Sequence, residues 1–318
     1  MGTSADASGA PYLPEPTGPN PAGITSLWLT DTSRPDPWVA EAAARELMVS
    51  LWYPVAPGTT GRPAQYMTPA ESELQLAGRD ITGVAPDMLS RVRTNAVSDA
   101  APAGQPGGLP LVVLSPGFTN SRSTLSGLAE DLASHGYIVA GIDHTYESLA
   151  TAFPDGRVTT CLARQARRRI SGFWEKLAAG RAADVSFVLN ELTGADPPWP
   201  GAGLIDPARI GMAGHSAGGA AAIAALLADS RIRAGIDMDG STYAPIPDGG
   251  LSPPFLFLGK QANYTPGGEG AVTTWERDWR LMTGWKRWLV VADAVHAPCT
   301  CAARRRSGSI GRHPATPR

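Results

Sequence analysis

From residue 109 onward the chain alternates short apolar runs with stretches of helical spacing, and this alternation restricts the fold to one class. The apolar runs lie at 111–115, 137–142, 209–214, 232–238, 254–258 and 288–291. The helical stretches lie at 125–135, 165–193, 217–229 and 272–283. Apolar runs without polar alternation are typical of strands buried on both faces, and intervening helices connect parallel strands. The sequence therefore predicts an α/β fold with a mostly parallel central sheet and helices on both faces.

The other segments divide the chain into a lead-in, one large domain and a tail. Residues 1–22 are rich in proline, which predicts a flexible or extended lead-in rather than a packed element. We expect one α/β domain over residues 23–297, beginning with strands at 24–31 and 47–55. Within it, residues 57–108 form an inserted arm with weak helical patterns near 69–78 and 85–93. Residues 298–318 form an irregular tail rich in arginine and proline.

The charge balance narrows the choice of partner. The formal net charge of −2 shows no basic surplus for binding nucleic acid. No apolar stretch reaches the roughly 20 residues that a membrane span requires. A small-molecule or lipid partner fits this charge balance.

The start of the chain has neither the basic nor the apolar segment of a signal peptide. The sequence as written therefore predicts a cytoplasmic protein, although a trimmed secreted protein would look the same.

One motif indicates nucleophilic catalysis. Residues 214–218 read Gly-His-Ser-Ala-Gly, directly after an apolar run and directly before a helical run of small residues. A sharp strand–turn–helix of this kind exposes the serine hydroxyl above the sheet, and its glycines avoid collisions with the neighbouring strand and helix. The helix N-terminus also favours developing negative charge. We therefore predict Ser216 as a nucleophile.

A serine nucleophile needs a base and an acid that orients the base, and in sheets with such an elbow both follow the serine. Only His296 and His313 follow Ser216 in the chain. We favour His296, which comes just after the last apolar run, over His313 in the proline- and arginine-rich terminus. The earlier histidines, His135, His144 and His215, are expected to be structural or to line a pocket.

Two aspartates compete for the role of the acid. Asp237 and Asp239 lie at the end of the strand that follows the elbow, whereas the next strand is followed by no carboxylate before Glu269. We favour Asp239, because it lies nearer the carboxyl end of its strand, where sites in such sheets are built. Asp237 remains the lesser candidate.

Acyl transfer also requires donors for an oxyanion. One is expected from the amide of the residue after the nucleophile, Ala217, and one from the loop that follows an earlier strand. In that loop, residues 115–118 read Ser-Pro-Gly-Phe, which places the second donor at the amide of Phe118. Cys299 and Cys301 beside His296 could be read as metal ligands, but a structural zinc site takes four spaced ligands, so we predict no metal.

Together these residues resemble the platelet-activating factor acetylhydrolase family of the plasma or isoform II type and its bacterial lipase and esterase relatives. The likeness covers about residues 24–296, through stretches at 47–54, 111–118, 131–144, 206–211, 214–219 and 233–240. It implies an α/β-hydrolase fold, with nucleophile, acid and base at Ser216, Asp239 and His296 and oxyanion amides at Phe118 and Ala217. It further implies hydrolysis of esters with short or truncated acyl chains, without a metal or organic cofactor.

Three alternatives stay open at this point. The cutinase and polyester-hydrolase group is similar around residues 115–118 and 214–219, but it places its acid after a later strand, where this chain has none. A non-catalytic protein of the same fold would commonly lack a triad member, and candidates for all three are present here. A serine peptidase on this fold is excluded only by the family likeness.

We expect an apolar acyl pocket beside the serine. It should be shaped by the arm 57–108 and by the segment after His144, with Tyr146 and Phe153.

Overall fold

A computed structural model describes residues 4–5, 11–296 and 310–312 of the chain. His313, Cys299 and Cys301 lie outside the described residues, as does the tail apart from residues 310–312. Among the residues that it describes, no helix is long and apolar enough to cross a membrane.

The strands run from the first described residues to the last. They are β1 (Ser4–Ala5), β2 (Pro11–Tyr12), β3 (Ala22–Asp31), β4 (Arg45–Pro54), β5 (Pro63–Gln65), β6 (Arg93–Ser98), β7 (Leu109–Ser115), β8 (Ile138–His144), β9 (Thr151–Ala152), β10 (Val158–Thr159), β11 (Ile205–His215), β12 (Ile232–Met238), β13 (Phe255–Lys260), β14 (Lys286–Val291) and β15 (Ile310–Arg312).

Helices alternate with these strands. They are α1 (Pro69–Ala77), α2 (Ser126–Ser134), α3 (Ala163–Ala166), α4 (Phe173–Thr193), α5 (Ala217–Ala228), α6 (Gln261–Tyr264) and α7 (Val272–Leu281), with single 3₁₀ turns at Met88–Arg91, Arg122–Leu125 and Ala202–Leu204.

One large sheet organises the fold. Its strands lie in the order β1-β2-β6-β3-β4-β8-β7-β11-β12-β13-β14-β15, and β5 pairs with β6. The centre from β8 to β14 is parallel throughout, whereas β4 runs antiparallel to both β3 and β8. The predicted fold class is therefore confirmed, because the apolar runs that lack polar alternation form the parallel centre.

The two faces of the sheet carry separate apolar cores. On one face, Leu111 and Val113 of β7 pack with residues of α4 and α5, together with Trp275 of α7. On the other face, Leu114 of β7 packs with Leu125 and with α2. Successive side chains of a strand point to opposite faces, so a strand covered on both sides must be apolar at every position. This explains why the sequence of these strands shows no alternation.

The structure differs from the sequence-based expectations in three segments. The helical stretch expected at 165–193 is interrupted, because Gly172 adopts a left-handed conformation (φ 68°) and α4 begins only at Phe173. The proline-rich lead-in is extended but packed from residue 11, with Leu13 only 2% exposed. The arm 57–108 contributes β6 to the sheet, and only a 3₁₀ turn forms in the second of its two predicted helices.

A buried ionic network joins β4 to α4 beneath one face of the sheet. The carboxylate of Asp184 accepts hydrogen bonds from Arg45 at 2.9 Å, from Arg34 at 2.6 Å and from the ring of His144 at 2.7 Å. Arg45 also donates to Asp36 at 2.7 Å. Burial alone would raise the pKa of Asp184, but the Arg45 guanidinium and His144 hold it below its ordinary value.

Replacing Asp184 with alanine is expected to reduce the free energy of unfolding by about 3–5 kcal/mol, because it leaves buried cations without their partner. Urea unfolding monitored by circular dichroism measures the change. The matched control is Asp87→Ala, which breaks the exposed ion pair of Asp87 with Arg91 and should cost at most about 1 kcal/mol. Equal losses in the two variants would contradict a structural role for the buried network.

Candidate active site

Ser216 occupies a sharp turn between β11 and α5. Its backbone is left-handed (φ 55°, ψ −118°), a conformation that costs a non-glycine residue about 1–3 kcal/mol. The amide of Ser216 donates to the carbonyl of Met238 at 2.8 Å, which ties the turn to the end of β12. A Cβ at Gly218 would lie 1.9 Å from the carbonyl oxygen of Ser115 in β7, so only glycine fits there. The crowding of the turn explains the glycines of the motif.

The structure brings together Ser216, His296 and Asp239. His296 Nε2 lies 3.0 Å from Ser216 Oγ, and His296 Nδ1 is hydrogen-bonded to Asp239 Oδ2. The second carboxylate oxygen of Asp239 accepts the backbone amide of Lys260 at 2.8 Å, which fixes the carboxylate at the carboxyl ends of β12 and β13. Asp239 is 6% exposed, whereas His296 is open to solvent. This geometry allows the serine proton to pass to the imidazole.

Asp237 contacts the turn after β12 and the start of α5. It is fully buried, its Oδ1 accepts the amide of Gly240 at 2.9 Å, and its Oδ2 has no partner among the described residues. Burial raises its pKa well above the ordinary value, while the Gly240 amide opposes this rise. A Cβ at Gly219 would lie 2.0 Å from Asp237 Oδ1, so the carboxyl group packs directly against the start of α5.

Two backbone amides beside the serine are free to donate. Within the part of the chain that the structure describes, neither the amide of Phe118 nor that of Ala217 donates a hydrogen bond to another residue. Gly117 lies against the elbow, because a Cβ there would be 3.4 Å from Ser216 Cβ and 3.0 Å from His215 Nδ1. These two amides are suited to hold an oxygen that gains negative charge next to the serine.

Buried charged residues hold the loop that carries Phe118. Arg181 of α4 donates from Nη1 to the carbonyl of Pro116 and to Ser115 Oγ, and from Nε to Glu147 Oε2 at 2.8 Å. The backbone carbonyl of Glu147 accepts the amide of Thr119 at 2.9 Å. The loop is thus fixed on both sides of Phe118.

Arg181 and Glu147 were not predicted from the sequence as functional residues. A signal for Arg181 was present, since it falls on the apolar face of α4, at helical spacing from Leu177 and Val188. A charged residue on such a face is rarely buried without a partner. No comparable pattern marks Glu147, which lies in an irregular segment after β8.

A second Ser–His–Asp relay lies beneath the first. Ser115 Oγ is 2.8 Å from His144 Nε2, and His144 Nδ1 is 2.7 Å from Asp184 Oδ2. Ser115 and Asp184 are both fully buried, and the Ser115 hydroxyl is also held by Arg181 at 3.1 Å. Burial, followed by the nearby Arg181, lowers the pKa of His144. No substrate can reach this hydroxyl, so the relay is structural, in keeping with the expectation for His144.

His215 lies directly behind the candidate base. Its ring centroid is 4.9 Å from that of His296, and it is only 2% exposed. Neither of its ring nitrogens has a hydrogen-bond partner among the described residues. Burial, followed by the nearby His296, lowers the pKa of His215 to about 4, so its imidazole is neutral at neutral pH.

A cavity of about 300 Å³ opens beside Ser216 and His296. Its walls include the aromatic residues Trp174, Tyr243 and Tyr264 and the polar residues Ser241, Lys260 and Asn263. Trp174 stacks on Tyr243 with ring centroids 5.8 Å apart, and Phe118 packs edge-on against Trp174. The expectation that Tyr146, Phe153 and the arm 57–108 form this pocket is wrong. The arm instead borders a separate polar cleft.

Comparison with known proteins gives consistent matches. The family described as platelet-activating factor acetylhydrolase, isoform II, matches residues 12–164. A probable 1-alkyl-2-acetylglycerophosphocholine esterase from Arthroderma benhamiae is 30% identical, over 89% of this chain and 74% of its own length. The platelet-activating factor acetylhydrolase of Canis lupus familiaris is 30% identical, over 49% of this chain and 41% of its own length.

The match extends to a solved structure. A ferulic acid esterase from Streptomyces cinnamoneus is 43% identical and has a TM-score of 0.78, over 90% of this chain and 77% of its own length. The similar proteins are thus described as esterases or as an acetylhydrolase.

Substituting Arg181 with lysine is expected to lower kcat for ester hydrolysis by about 10–100-fold, because lysine cannot hold Pro116 and Glu147 together and the Phe118 amide shifts. KM should change little, since no substrate contact is lost. Steady-state kinetics measures both constants. The matched control is Arg45→Lys, which alters the same network without touching residues 115–119. An equal fall in kcat in both variants would show that the loss reflects general destabilisation.

Proposed function

The chain belongs to the platelet-activating factor acetylhydrolase family of isoform II, whose members are carboxylic ester hydrolases, and we propose that it works through Ser216, His296 and Asp239. The observation that carries this proposal is the continuous hydrogen-bonded series from Ser216 Oγ through the His296 ring to Asp239, at the edge of an open cavity. A non-catalytic role is disfavoured, because hydrogen bonds join Ser216, His296 and Asp239 beside a cavity.

The proposed reaction proceeds in two steps. Ser216 Oγ attacks the ester carbonyl while His296 Nε2 takes its proton, and the protonated imidazole then gives that proton to the leaving alcohol. Asp239 holds the imidazole in the productive tautomer and stabilises it when it is charged. The amides of Phe118 and Ala217 hold the oxyanion in both steps. Water, deprotonated by His296, finally releases the acid from Ser216.

We propose that the substrates are esters with short acyl chains, including acetyl esters of lipids such as the one in the fungal relative's name. The cavity of about 300 Å³ supports this class, since it lies at the lower end of the volumes found for ligand sites. A cutinase-like preference for long polyester chains is less compatible with walls so close to the serine.

A second candidate is the hydrolysis of esters with an aromatic acyl group. Two observations favour it: the 43% identity with the ferulic acid esterase, and the aromatic wall of Trp174, Tyr243 and Tyr264 in the cavity. A planar acyl group can pack against such rings in offset or edge-on geometry. Both candidates use the same triad, and they differ only in what the cavity accepts.

Replacing Ser216 with alanine is expected to lower kcat on p-nitrophenyl esters by on the order of 10⁶-fold, because no nucleophile remains. Asp239→Asn should lower it by about 10⁴-fold through loss of the productive tautomer. The matched control is Ser115→Ala, which removes the buried hydroxyl and should stay within about tenfold of the native rate. Rates measured from acetate to palmitate should fall with acyl length. Retained activity in Ser216→Ala would overturn the assignment.

Replacing Trp174 with alanine is expected to lower kcat/KM for methyl ferulate by about tenfold relative to p-nitrophenyl acetate, because an aromatic acyl group loses its packing partner. The two substrates are compared in parallel on each variant. Trp285→Ala is the control, since Trp285 is 57% exposed and is not among the residues that line the cavity. Equal losses on both substrates would remove the support for an aromatic acyl site.

A further inference from the structure

His215 presents an unexplained feature next to the triad. It is almost fully buried, and both of its ring nitrogens lack a partner among the described residues. Buried polar side chains in native proteins are nearly always hydrogen-bonded or ligated, so an imidazole with two free nitrogens requires an explanation. The triad does not use this ring, since Ser216 and Asp239 are both engaged by His296.

The surroundings of this ring supply a set of metal ligands. One ligand atom from each of His215, Asp239 and His296 lies within 4.8 Å of the other two. Within the ranges that the structure describes, no other three His, Cys, Asp or Glu side chains are gathered so closely. His296 is the exposed member, and its side chain is 47% accessible. A small shift of this ring would bring all three groups onto one ion that enters through the cavity.

The chemistry of these ligands selects a class of ion. Two neutral imidazoles and one carboxylate suit zinc, copper or nickel, whereas calcium and magnesium prefer sites built from oxygen atoms. Three protein ligands with an open fourth position are also common for zinc. The geometry points to an inhibitory site for Zn²⁺ or a similar transition metal ion, formed by His215, Asp239 and His296. Its effect on catalysis rests on the proposed function, but the binding itself does not.

Metal binding here disables the base by simple competition. An ion on His296 Nε2 takes the lone pair that would accept the proton of Ser216. An ion on His296 Nδ1 instead displaces the proton that this nitrogen shares with Asp239. In either case no bond to substrate forms or breaks, and a chelator restores the free imidazole. The site therefore makes hydrolysis sensitive to transition metal ions and insensitive to magnesium.

The first test is direct binding, which requires no activity. ZnCl₂ is titrated into the full chain by isothermal titration calorimetry, with MgCl₂ as the hard-cation comparison. We expect one Zn²⁺ per chain, at least tenfold weaker binding in His215→Asn, and no comparable binding of Mg²⁺. Zn²⁺ binding of equal affinity in native protein and a folded His215→Asn variant would overturn the proposal, as would no binding of Zn²⁺ to the native protein.

Two controls separate this site from other ligands in the chain. Cys299→Ser/Cys301→Ser removes the thiols near His296 in sequence and should leave the affinity unchanged; loss of binding would assign the ion to the thiols and refute the site. If His215→Asn does not fold, as judged by circular dichroism, the absorption spectrum of Co²⁺ bound to the native protein identifies the ligands instead. Imidazole and carboxylate ligands give d–d bands without thiolate-to-metal charge transfer, and a strong charge-transfer band would refute the site.

The second test links binding to catalysis. Zn²⁺ should inhibit hydrolysis of p-nitrophenyl acetate, EDTA should reverse the inhibition, and His215→Asn should raise the half-inhibitory concentration at least tenfold. An unchanged half-inhibitory concentration in a folded, active His215→Asn variant would overturn the inhibitory role. Binding that depends on His215 in a chain without esterase activity would refute the proposed function and leave the metal site standing. Esterase activity without Zn²⁺ binding would refute the metal site and leave the proposed function standing.

Discussion

The left-handed backbone of Ser216 is the constraint on which the rest of the active site depends. It holds the serine in the turn between β11 and α5, where the neighbouring backbone comes close. A Cβ at Gly240 would lie 2.2 Å from the carbonyl oxygen of Ser216, so the turn after β12 is packed against the elbow itself. Asp239 is also left-handed (φ 62°), and the two strained residues meet at adjacent strand ends. The positions of Ser216 and Asp239, the proposed nucleophile and acid, are thus tied to the pairing of β11 with β12.

The two Ser–His–Asp relays show that hydrogen-bond geometry alone does not make a catalytic site. The relay of Ser115, His144 and Asp184 is joined by hydrogen bonds like the one at the surface, yet its serine is fully buried. Its aspartate is shared with Arg45, which makes it part of a structural ionic network. The two relays differ in access, because Ser216 lines a cavity whereas Ser115 is fully buried.

The residues that line the cavity beside Ser216 are far apart in the sequence. Trp174 comes from the first turn of α4, Tyr243 from the loop after β12, and Tyr264 from the last residue of α6. These segments meet at the serine because they lie at one edge of the sheet, as is usual for ligand sites in open α/β folds. The size and aromatic character of the cavity thus arise from connections between strands, which vary more readily than the strands themselves.

The sequence by itself determined the parallel sheet, the elbow at Ser216 and the order of the candidate residues, because apolar runs and glycine spacing are local patterns. It also indicated His296 and Asp239 by elimination. Only the tertiary structure shows that His296 is hydrogen-bonded to Asp239 while Asp237 accepts the amide of Gly240, since both aspartates lie at the end of the same strand. The same holds for Arg181 and Glu147, for the packed lead-in and for the cavity walls, which come from distant segments rather than from the arm 57–108. Such contacts are long-range, and no local pattern in the chain specifies which of them form.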